Sequence, residues 1–492
     1  MKKVKNLIIG AGISGLTYAN YCNGDYLIVE KESEVGGYCN THYVKDYIWD
    51  YAGHFFHFKT DEFKKKFIDS LDKDDFVTQD KKTYIYFDKA LVDYPFQTNI
   101  HELSKDKFID CLYDLFNKEE KDVYDNFLDM LYGKFGKSIT EMFLKPYNEK
   151  LYACDLTKLD KDAMGRFFPY ADIKAIINNM KDSKNTSYNN TFMYPKRGAQ
   201  VIIDILMENV NKDNILLNTL VEKIDLEKHE AKLNNGEVVV FDNLINTSPF
   251  NTFLKLTNNL EYNELSDRLT YNKVLVFNLG FNKKSKYNKE HWIYFPDKDI
   301  NFYRIGFYDN ILNSDKLSMY IEIGYPKNAV INKEEIDDEL NKTLKNLKKV
   351  GVIDDSFELV AHESIVMNPA YVHIDTENDK LDRKIMNDLS ENNIYSIGRY
   401  GAWTYCSMED CMLEAKNLSE KIWRKECFIL MLKKIKRFIS DCSNFVNVYS
   451  KRIDEMSKSQ RSKLLSKQIN IEANKQIDGV INEFVLKEGK VD

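Results

Sequence analysis

Three glycines near the N-terminus, Gly10, Gly12 and Gly15, constrain the fold of this chain more than any other feature. They follow the apolar run of residues 4–9 and precede an apolar helical segment, which predicts a strand, a tight turn and a helix in that order. In this context the spacing is typical of a dinucleotide-binding unit, because the glycines let the backbone approach a pyrophosphate. The N–H groups at the start of the helix, near Ser14, then face the anion. The sequence therefore predicts a Rossmann-like α/β domain.

The segment after this helix indicates which dinucleotide is bound. The apolar run of residues 26–29 ends at Glu30, where a carboxylate can accept hydrogen bonds from ribose hydroxyls, and Lys31 lies beside it. Gly36 and Gly37 follow and allow a second close approach to the diphosphate. An acid, a short polar link and a glycine pair resemble the start of FAD-binding flavoproteins more than that of NAD dehydrogenases. This resemblance implies FAD as the cofactor.

Size and composition limit the class of protein. At 492 residues the chain exceeds a single core, so two or three structural units are expected. The hydrophobic content of 43% and the charged content of 30% are those of a soluble globular protein. The net charge of -7 argues against a nucleic-acid partner, although it says nothing about small anionic substrates, which respond to local charge.

Cysteine usage and hydropathy indicate the compartment. The eight cysteines include no CxxC pair and no neighbouring histidine at metal-ligand spacing, which favours reduced thiols and no metal site. No window approaches the roughly 18 apolar residues of a membrane span. We therefore expect a cytoplasmic protein that is soluble or at most attached to the inner face of a membrane.

An aromatic cluster after the glycine pair carries a more specific resemblance. Residues 47–58 read YIWDYAGHFFHF, with His54 after a glycine and among aromatic side chains. This cluster resembles UDP-galactopyranose mutases and their relatives among the FAD-dependent amine-oxidase and protoporphyrinogen-oxidase-like flavoproteins. The resemblance implies that His54 lies against the flavin ring.

Two later segments match substrate-binding parts of the mutases. Residues 143–155, FLKPYNEKLYACD, resemble the mutase segment beside the base and sugar, which implies these roles for Tyr147 and Tyr152. The second is a tryptophan in the mutases, so stacking is retained but the base need not be uracil. Arg304, in FYRIG, matches a mutase arginine that reaches the substrate phosphates, and a planar guanidinium suits two phosphate oxygens at once.

The segment before the helix at residues 201–206 departs from the mutases. The arginine that clamps the substrate diphosphate in those enzymes falls at Asn190 here. Lys196 and Arg197 could supply the charge instead, or the substrate carries no diphosphate. The alternative is that this pair lies in a basic turn exposed to solvent and has no role in binding.

Two further segments resemble flavin-binding parts of the family. The backbone of Val221 matches the strand residue that binds the adenine ring, and Gly398 with Arg399 begins the segment that closes the nucleotide domain. In the mutases the residues after this pair bind the substrate diphosphate or meet the flavin. The matching residues here are Trp403, Tyr405, Met408 and Glu409.

The predicted fold is α/β, with a discontinuous parallel-sheet FAD domain, a helical insertion, an antiparallel substrate sheet and a C-terminal helical tail. We place FAD-domain segments at residues 1–60, 191–250 and 386–425. The mainly helical insertion covers residues 61–190, the antiparallel sheet covers 251–385, and the tail covers 426–492.

The resemblance implies a mutase that interconverts pyranose and furanose rings of a nucleotide sugar through a bond between the sugar and N5 of reduced flavin, with NAD(P)H as an external reductant. Polysaccharide biosynthesis is the setting this implies. The candidate catalytic residues are His54, Arg304 and Tyr405. One alternative is an oxidoreductase of amine-oxidase or protoporphyrinogen-oxidase type that passes hydride to flavin N5. A second is a flavin-binding protein without catalysis.

The tail lies beyond the resemblance. Residues 428–446 combine an apolar stripe with Lys433, Lys434, Lys436 and Arg437, a pattern suited to an acidic membrane surface or a protein partner. A helix docked on its own protein is the other interpretation. A homodimer is compatible with the sequence.

Overall fold

The computed structural model describes residues 2–181 and 191–453, without the side chains of residues 376, 377 and 441–453. The chain divides into two compact units, Met1–Lys416 and Asn417–Asp492. Asn190, the position of the missing mutase arginine, and the tail beyond residue 453 lie outside the described residues.

Strands and helices alternate through the first unit. The strands are β1 Lys2–Ile9, β2 Tyr26–Val29, β3 Thr41–Val44, β4 Tyr47–Asp50, β5 Phe76–Asp80, β6 Thr83–Phe87, β7 Ala90–Asp93, β8 Thr191–Pro195, β9 Ile215–Leu216, β10 Val221–Asp225, β11 Glu230–Leu233, β12 Val238–Asn246, β13 Asn272–Phe281, β14 Trp292–Tyr294, β15 Arg304–Phe307, β16 Ser318–Pro326, β17 Leu359–Met367 and β18 Ile394–Ser396. The α-helices are α1 Ile13–Tyr21, α2 Asp61–Asp69, α3 Lys105–Phe116, α4 Phe127–Ile139, α5 Lys145–Tyr152, α6 Ile173–Lys181, α7 Gln200–Met207, α8 Phe250–Leu256, α9 Leu260–Arg268, α10 Tyr308–Leu312, α11 Lys333–Lys349, α12 Thr376–Glu391, α13 Gly398–Gly401 and α14 Met408–Ile453.

The first sheet, which we call the nucleotide sheet, joins strands from three distant parts of the chain. Its order is β10-β11-β12-β1-β2-β9, and β18 also pairs with β12. β1 lies parallel to β12 and β2, and β9 and β18 extend the parallel part. Leu7 and Ile8 on adjacent positions of β1 are both fully buried, as expected for a parallel sheet covered on both faces. The predicted Rossmann-like sheet from discontinuous segments is confirmed.

The second sheet, which we call the substrate sheet, has the order β17-β13-β16-β15-β14-β6-β7. Its strands pair antiparallel except β14 with β6, which are parallel. β6 and β7 come from the insertion, so that segment adds strands as well as helices. The run TYIYF in β6 is rich in aromatic and β-branched residues, which favour strands. The expectation that this stretch is mainly helical therefore missed the strands that widen the sheet.

A half-buried lysine of helix α5 helps to fix the helix to the connection between β14 and β15. Lys150 Nζ donates to the backbone carbonyls of Phe295 at 2.7 Å, Asp297 at 2.9 Å and Phe302 at 2.6 Å. A Cβ added to Gly324 in β16 would lie 2.2 Å from the Lys150 carbonyl oxygen, so helix and sheet approach as closely as glycine permits. These contacts set the position of the aromatic residues that α5 carries.

The second unit contains most of α14, which extends to Ile453. Between residues 428 and 439 it exposes apolar side chains, among them Phe428 at 56% and Ile439 at 61%. Within residues 2–181 and 191–453, no helix combines the length and apolar character that crossing a membrane needs.

Candidate active site

The glycine turn after β1 forms a narrow junction between strand and helix. Gly10 has φ +99° and donates its N–H to the Val29 carbonyl at 2.9 Å, which ties the turn to β2. A Cβ added to Gly15 would lie 2.0 Å from the Gly10 carbonyl oxygen, so only glycine fits there. Helix α1 begins next to Gly12 without a side-chain cap, which leaves its first N–H groups to an anion.

The second glycine pair approaches this turn and leaves an open backbone face. Gly36 donates to the Ala11 carbonyl at 2.9 Å and pairs with Gly12 as an isolated bridge. A Cβ added to Gly12 or Gly37 would meet nothing nearer than 3.6 Å. This glycine-lined face beside an uncapped helix start fits the diphosphate of a dinucleotide.

Glu30 ends β2 beside the turn and is buried. Its carboxylate accepts hydrogen bonds from the backbone N–H of Ala11 at 2.7 Å and of Glu32 at 3.0 Å. A carboxylate fixed in this way can also accept hydrogen bonds from ribose hydroxyls, and this role of Glu30 stays a prediction. The neighbouring Lys31 is exposed and pairs with Glu32 at 3.1 Å, so these contacts give no support to its predicted cofactor role.

The last segment of the nucleotide domain meets the first at Gly398. This residue has φ +80°, and a Cβ added to it would lie 2.3 Å from Ser14 Oγ. Met408 Sδ lies 3.8 Å from Cys39 Sγ, in the segment that follows Gly36 and Gly37. Val221 begins β10 in the same sheet and is buried. The structure therefore gathers these predicted cofactor residues around the nucleotide sheet.

Two residues of this segment have other partners than predicted. Glu409 accepts hydrogen bonds from the N–H of Lys59 at 2.7 Å and from the N–H and hydroxyl of Thr60 at 2.9 and 2.6 Å, so it holds the start of α2. Trp403 has φ +48°, packs edge-on against Tyr271 and lies in the hydrophobic core of the nucleotide sheet. Its contacts do not support a place in the substrate site.

Arg304 lies in a buried ion pair across two strands. It pairs in register with Glu322, and its Nε and Nη2 reach Glu322 Oε2 at 2.5 Å and Oε1 at 2.7 Å. Glu322 is 2% exposed, so this is not the surface ion pair that an isolated arginine often forms. The fork-to-carboxylate geometry fixes the guanidinium plane beside Tyr320, whose ring centre lies 5.9 Å away.

Tyrosines line the space around this pair. Tyr147, on α5, packs against Tyr294 at 5.1 Å and Tyr303 at 6.3 Å between ring centres. Tyr152, at the end of α5, packs against Tyr371 at 6.1 Å, and among the described residues its buried hydroxyl has no hydrogen-bond partner. Burial raises the pKa of Tyr147 and Tyr152 well above the usual range, so both hydroxyls stay protonated donors.

Tyr371 joins the two arginines of the site. Its ring stacks on Tyr405 at 5.7 Å, and the Arg399 guanidinium lies 5.3 Å from Tyr371 and 4.5 Å from Tyr405. Burial raises the Tyr371 pKa, Tyr405 adds to this, and both Arg304 and Arg399 oppose it. Tyr405, Arg399 and Arg304 thus belong to one cluster.

His54 is neutral in this cluster. Its pKa is lowered to about 4, chiefly by burial and further by Arg399 and Arg304, against the hydrogen bond to the Ala52 carbonyl at 3.1 Å. Because a carbonyl only accepts, Nδ1 carries the proton and Nε2 keeps its lone pair. Next to it, a Cβ on Gly53 would lie 2.4 Å from Tyr320 Oη, which places this segment beside Arg304.

Lys196 and Arg197 are not brought to this cluster. Both are exposed in the turn between β8 and α7, where Tyr43 Oη donates to the Arg197 carbonyl at 2.8 Å. Asp50 holds the turn by accepting from Ala199 N–H at 2.9 Å. These positions match the solvated turn that the sequence left open as the alternative.

Several residues of the cluster were not foreseen, namely Lys81, Tyr294, Tyr303, Tyr320, Glu322 and Tyr371. The clearest signal was in β16, SMYIEIGYP, where Tyr320 and Glu322 alternate with apolar residues and so share one face. A carboxylate at such a position requires a buried partner. Among the described residues, no three His, Cys, Asp or Glu side chains are grouped as a metal site requires.

Comparisons with known proteins agree with the architecture. The model of the family described as flavin containing amine oxidoreductase matches residues 13–422. A reduced UDP-galactopyranose mutase superposes with TM-score 0.80 and 22% identity, over 85% of this chain and 95% of that one.

Two oxidases show the same fold. A putative protoporphyrinogen oxidase from Exiguobacterium sp. 255-15 has TM-score 0.65 and 15% identity, over 86% and 98% of the two chains. A cyclohexylamine oxidase from Brevibacterium oxydans IH-35A has TM-score 0.61 and 12% identity, over 86% and 99%. The glycine-lined cradle and the family match together confirm the cofactor inferred from the sequence. The chain is an FAD-binding member of the flavin-containing amine oxidoreductase family.

Proposed function

We propose that this flavoenzyme acts on a nucleotide sugar as a mutase of the UDP-galactopyranose mutase type. The observation that carries the proposal is the buried Arg304–Glu322 pair in a tyrosine-lined cluster that also contains Arg399. A fixed guanidinium beside protonated tyrosine hydroxyls suits a substrate with a diphosphate. The likeness to the mutase structure supports this proposal through the shared fold.

The residues would divide the work as follows. Arg304 and Tyr405 hold the diphosphate, while Tyr147 and Tyr152 pack against the base and sugar. His54 is neutral and supports the flavin with its unprotonated Nε2. FAD held by the glycine-lined cradle would, when reduced, supply the nucleophile that displaces the nucleoside diphosphate from the sugar, and the protein supplies orientation and charge.

The charge of the cluster argues against a cationic substrate. Arg304 and Arg399 lie beside the tyrosines, and neutral His54 adds no charge. A protonated amine would be repelled, whereas a phosphate or carboxylate would be attracted. Among oxidoreductase alternatives, one that oxidises an anionic substrate therefore fits better than an amine oxidase.

The test uses the purified FAD enzyme, reduced anaerobically with dithionite or NAD(P)H and supplied with UDP-galactopyranose or UDP-galactofuranose. A mutase forms the other ring size with no net consumption of electrons, and only after reduction. Arg304→Ala should abolish most of this turnover. Product formation in step with oxygen or another acceptor would instead establish the oxidoreductase.

The cellular setting is also a proposal. We expect a cytoplasmic enzyme, because a nucleotide sugar and a nicotinamide reductant are both available there. The exposed apolar residues of α14 beside Lys433, Lys436 and Arg437 suit contact with an acidic membrane surface. A homodimer stays a prediction.

A further inference from the structure

Lys81 carries a positive charge near the candidate site, and no motif in the sequence marks it. It follows β5 in the turn to β6, and its Nζ lies 5.1 Å from the ring centre of Tyr94 and 5.9 Å from that of Trp292. Both rings border the tyrosine cluster, since Tyr94 packs against Tyr294 at 5.2 Å. The ammonium group therefore lies at the edge of the candidate site.

No carboxylate neutralises Lys81 among the residues that the structure describes. Burial, with a smaller contribution from Arg304, lowers its pKa to about 8. Lys81 in turn lowers the pKa of His57, whose value is about 4 mainly because of burial, so His57 is neutral as well. Tyr294, against which Tyr94 packs, pairs in register with Arg304, so Lys81 and Arg304 border the same group of aromatic rings. A partly buried ammonium in the field of a second cation is unfavourable unless an anion joins them.

The charge of Arg304 is already balanced and that of Lys81 is not. Glu322 takes two of the Arg304 N–H groups in a bidentate pair. Arg399 is surrounded by tyrosines and donates to the Cys406 carbonyl, and it forms no ion pair with a carboxylate in the part of the chain that the structure describes. The named groups thus leave an excess of positive charge that matches a doubly charged anion.

We infer that Lys81 and Arg304 bind the same anionic group of the substrate from two sides. Lys81 would supply the second cation that the exposed Lys196 and Arg197 do not bring to the site. The inference rests on the proposed function in taking this group to be the diphosphate of a nucleotide sugar. Lys81 is a binding residue in this scheme and takes no part in bond making.

The experiment measures binding of UDP, uridine and inorganic pyrophosphate to the FAD enzyme by isothermal titration calorimetry. Lys81→Met keeps the aliphatic stem between the rings and removes the charge, and Lys81→Arg keeps the charge. The control is Lys82→Met, which changes the adjacent exposed lysine. FAD absorbance and the thermal midpoint are recorded for every variant.

We expect Lys81→Met to weaken UDP and pyrophosphate binding about tenfold or more, the size of a lost charged hydrogen bond, with uridine binding unchanged. Lys81→Arg should retain most of the affinity, and Lys82→Met should match the wild type. Equal UDP affinity in Lys81→Met, even with a lowered thermal midpoint, would show that the lysine only packs on the rings and would overturn the inference.

The two proposals fail differently. Pyrophosphate binding that depends on Lys81, without UDP binding or mutase turnover, would keep the anion site and reject the nucleotide sugar. Mutase turnover of the UDP-sugar and UDP binding that are both indifferent to Lys81→Met would keep the function and reject the role of Lys81. Wild-type enzyme that binds neither UDP nor pyrophosphate would overturn both.

Discussion

At the scale of single residues, the site depends on charges that are held in place by specific partners. Glu322, which is buried, fixes the half-buried Arg304 by two hydrogen bonds. His54 stays neutral because burial and two guanidinium groups disfavour its imidazolium form. Each of these conditions can be tested on its own.

Removal of Glu322 should destabilise the protein and misplace Arg304. Glu322→Ala leaves a buried guanidinium without its counter-ion, which typically costs about 3 kcal/mol or more. The urea unfolding midpoint of the FAD enzyme measures the loss. Asp355→Asn, which removes an exposed ion pair with Lys348, is the control and should have little effect. Equal midpoints for both variants would contradict the claim that the Arg304 pair is buried.

His54 should not titrate near neutral pH. Its pKa in the folded protein is lowered to about 4 from the ordinary value of 6.5. The stability that neutral His54 contributes is therefore fully present above pH 6.5 and is lost as the pH falls towards 4. Carbon-13 histidine NMR between pH 5 and 8, with His54→Asn for assignment, should show a constant signal. A midpoint near 6.5, as in the urea-unfolded chain, would refute this environment.

At the scale of elements, close packing decides which glycines serve the fold and which serve the cofactor. Gly15 lies where α1 touches the turn after β1, whereas Gly12 faces open space. Helix α5 is held in a similarly specific way, because the Lys150 ammonium group joins three carbonyls of the connection between β14 and β15.

Alanine at Gly15 should affect the stability of the protein, whereas alanine at Gly12 should affect FAD binding. Gly15→Ala places a Cβ 2.0 Å from the Gly10 carbonyl and should lower the stability of the apoprotein. At Gly12, φ is −79° and the nearest atom to an added Cβ is the Gly36 carbonyl oxygen at 4.0 Å, so in Gly12→Ala the apoprotein should fold normally while FAD binding falls. The thermal midpoint of the apoprotein and the FAD content after purification separate the two effects. Retention of FAD in Gly12→Ala would exclude a diphosphate at this face.

Loss of the Lys150 ammonium group should loosen α5. Lys150→Met leaves the carbonyls of Phe295, Asp297 and Phe302 without this donor. Hydrogen exchange should become faster at the amides of α5. The control is Lys145→Met, which removes only a surface pair with Glu141. Unchanged exchange in both variants would mean that packing alone holds the helix.

At the scale of the whole molecule, local and overall charge differ in sign. The chain carries a net charge of -7, yet the tyrosine cluster contains Arg304, Arg399 and Lys81. The second unit is likewise distinct, because α14 combines exposed apolar residues with Lys433, Lys436 and Arg437. Net charge therefore predicts neither the substrate nor the surface that the protein contacts.

The helix of the second unit should bind acidic membranes. Vesicles that contain phosphatidylglycerol should sediment the protein, and neutral phosphatidylcholine vesicles should not, because apolar contact and charge attraction act together. The triple variant Lys433→Glu, Lys436→Glu and Arg437→Glu should remain in the supernatant while flavin content is unchanged. Equal sedimentation of the variant and the wild type with acidic vesicles would refute membrane binding through these basic residues.

The sequence by itself determined the nucleotide fold and its cofactor. The signal is local. The glycines at positions 10, 12 and 15 act through backbone geometry and Glu30 acts through its carboxylate, all within some twenty residues, so their spacing is sufficient to recognise the unit. The order of the segments was also readable from the sequence, whereas the close approach of Gly398 to Ser14 was seen only in the structure.

Only the tertiary structure decided the substrate side of the site. Arg304 pairs with Glu322 through strand register, Lys81 lies over Tyr94 at the edge of the tyrosine cluster, and Trp403 lies in the core of the nucleotide sheet. Lys196 and Arg197 stay exposed because their turn is held at Asp50. Burial and charge pairing between distant segments depend on how two sheets and an insertion pack together, and no local spacing encodes that arrangement.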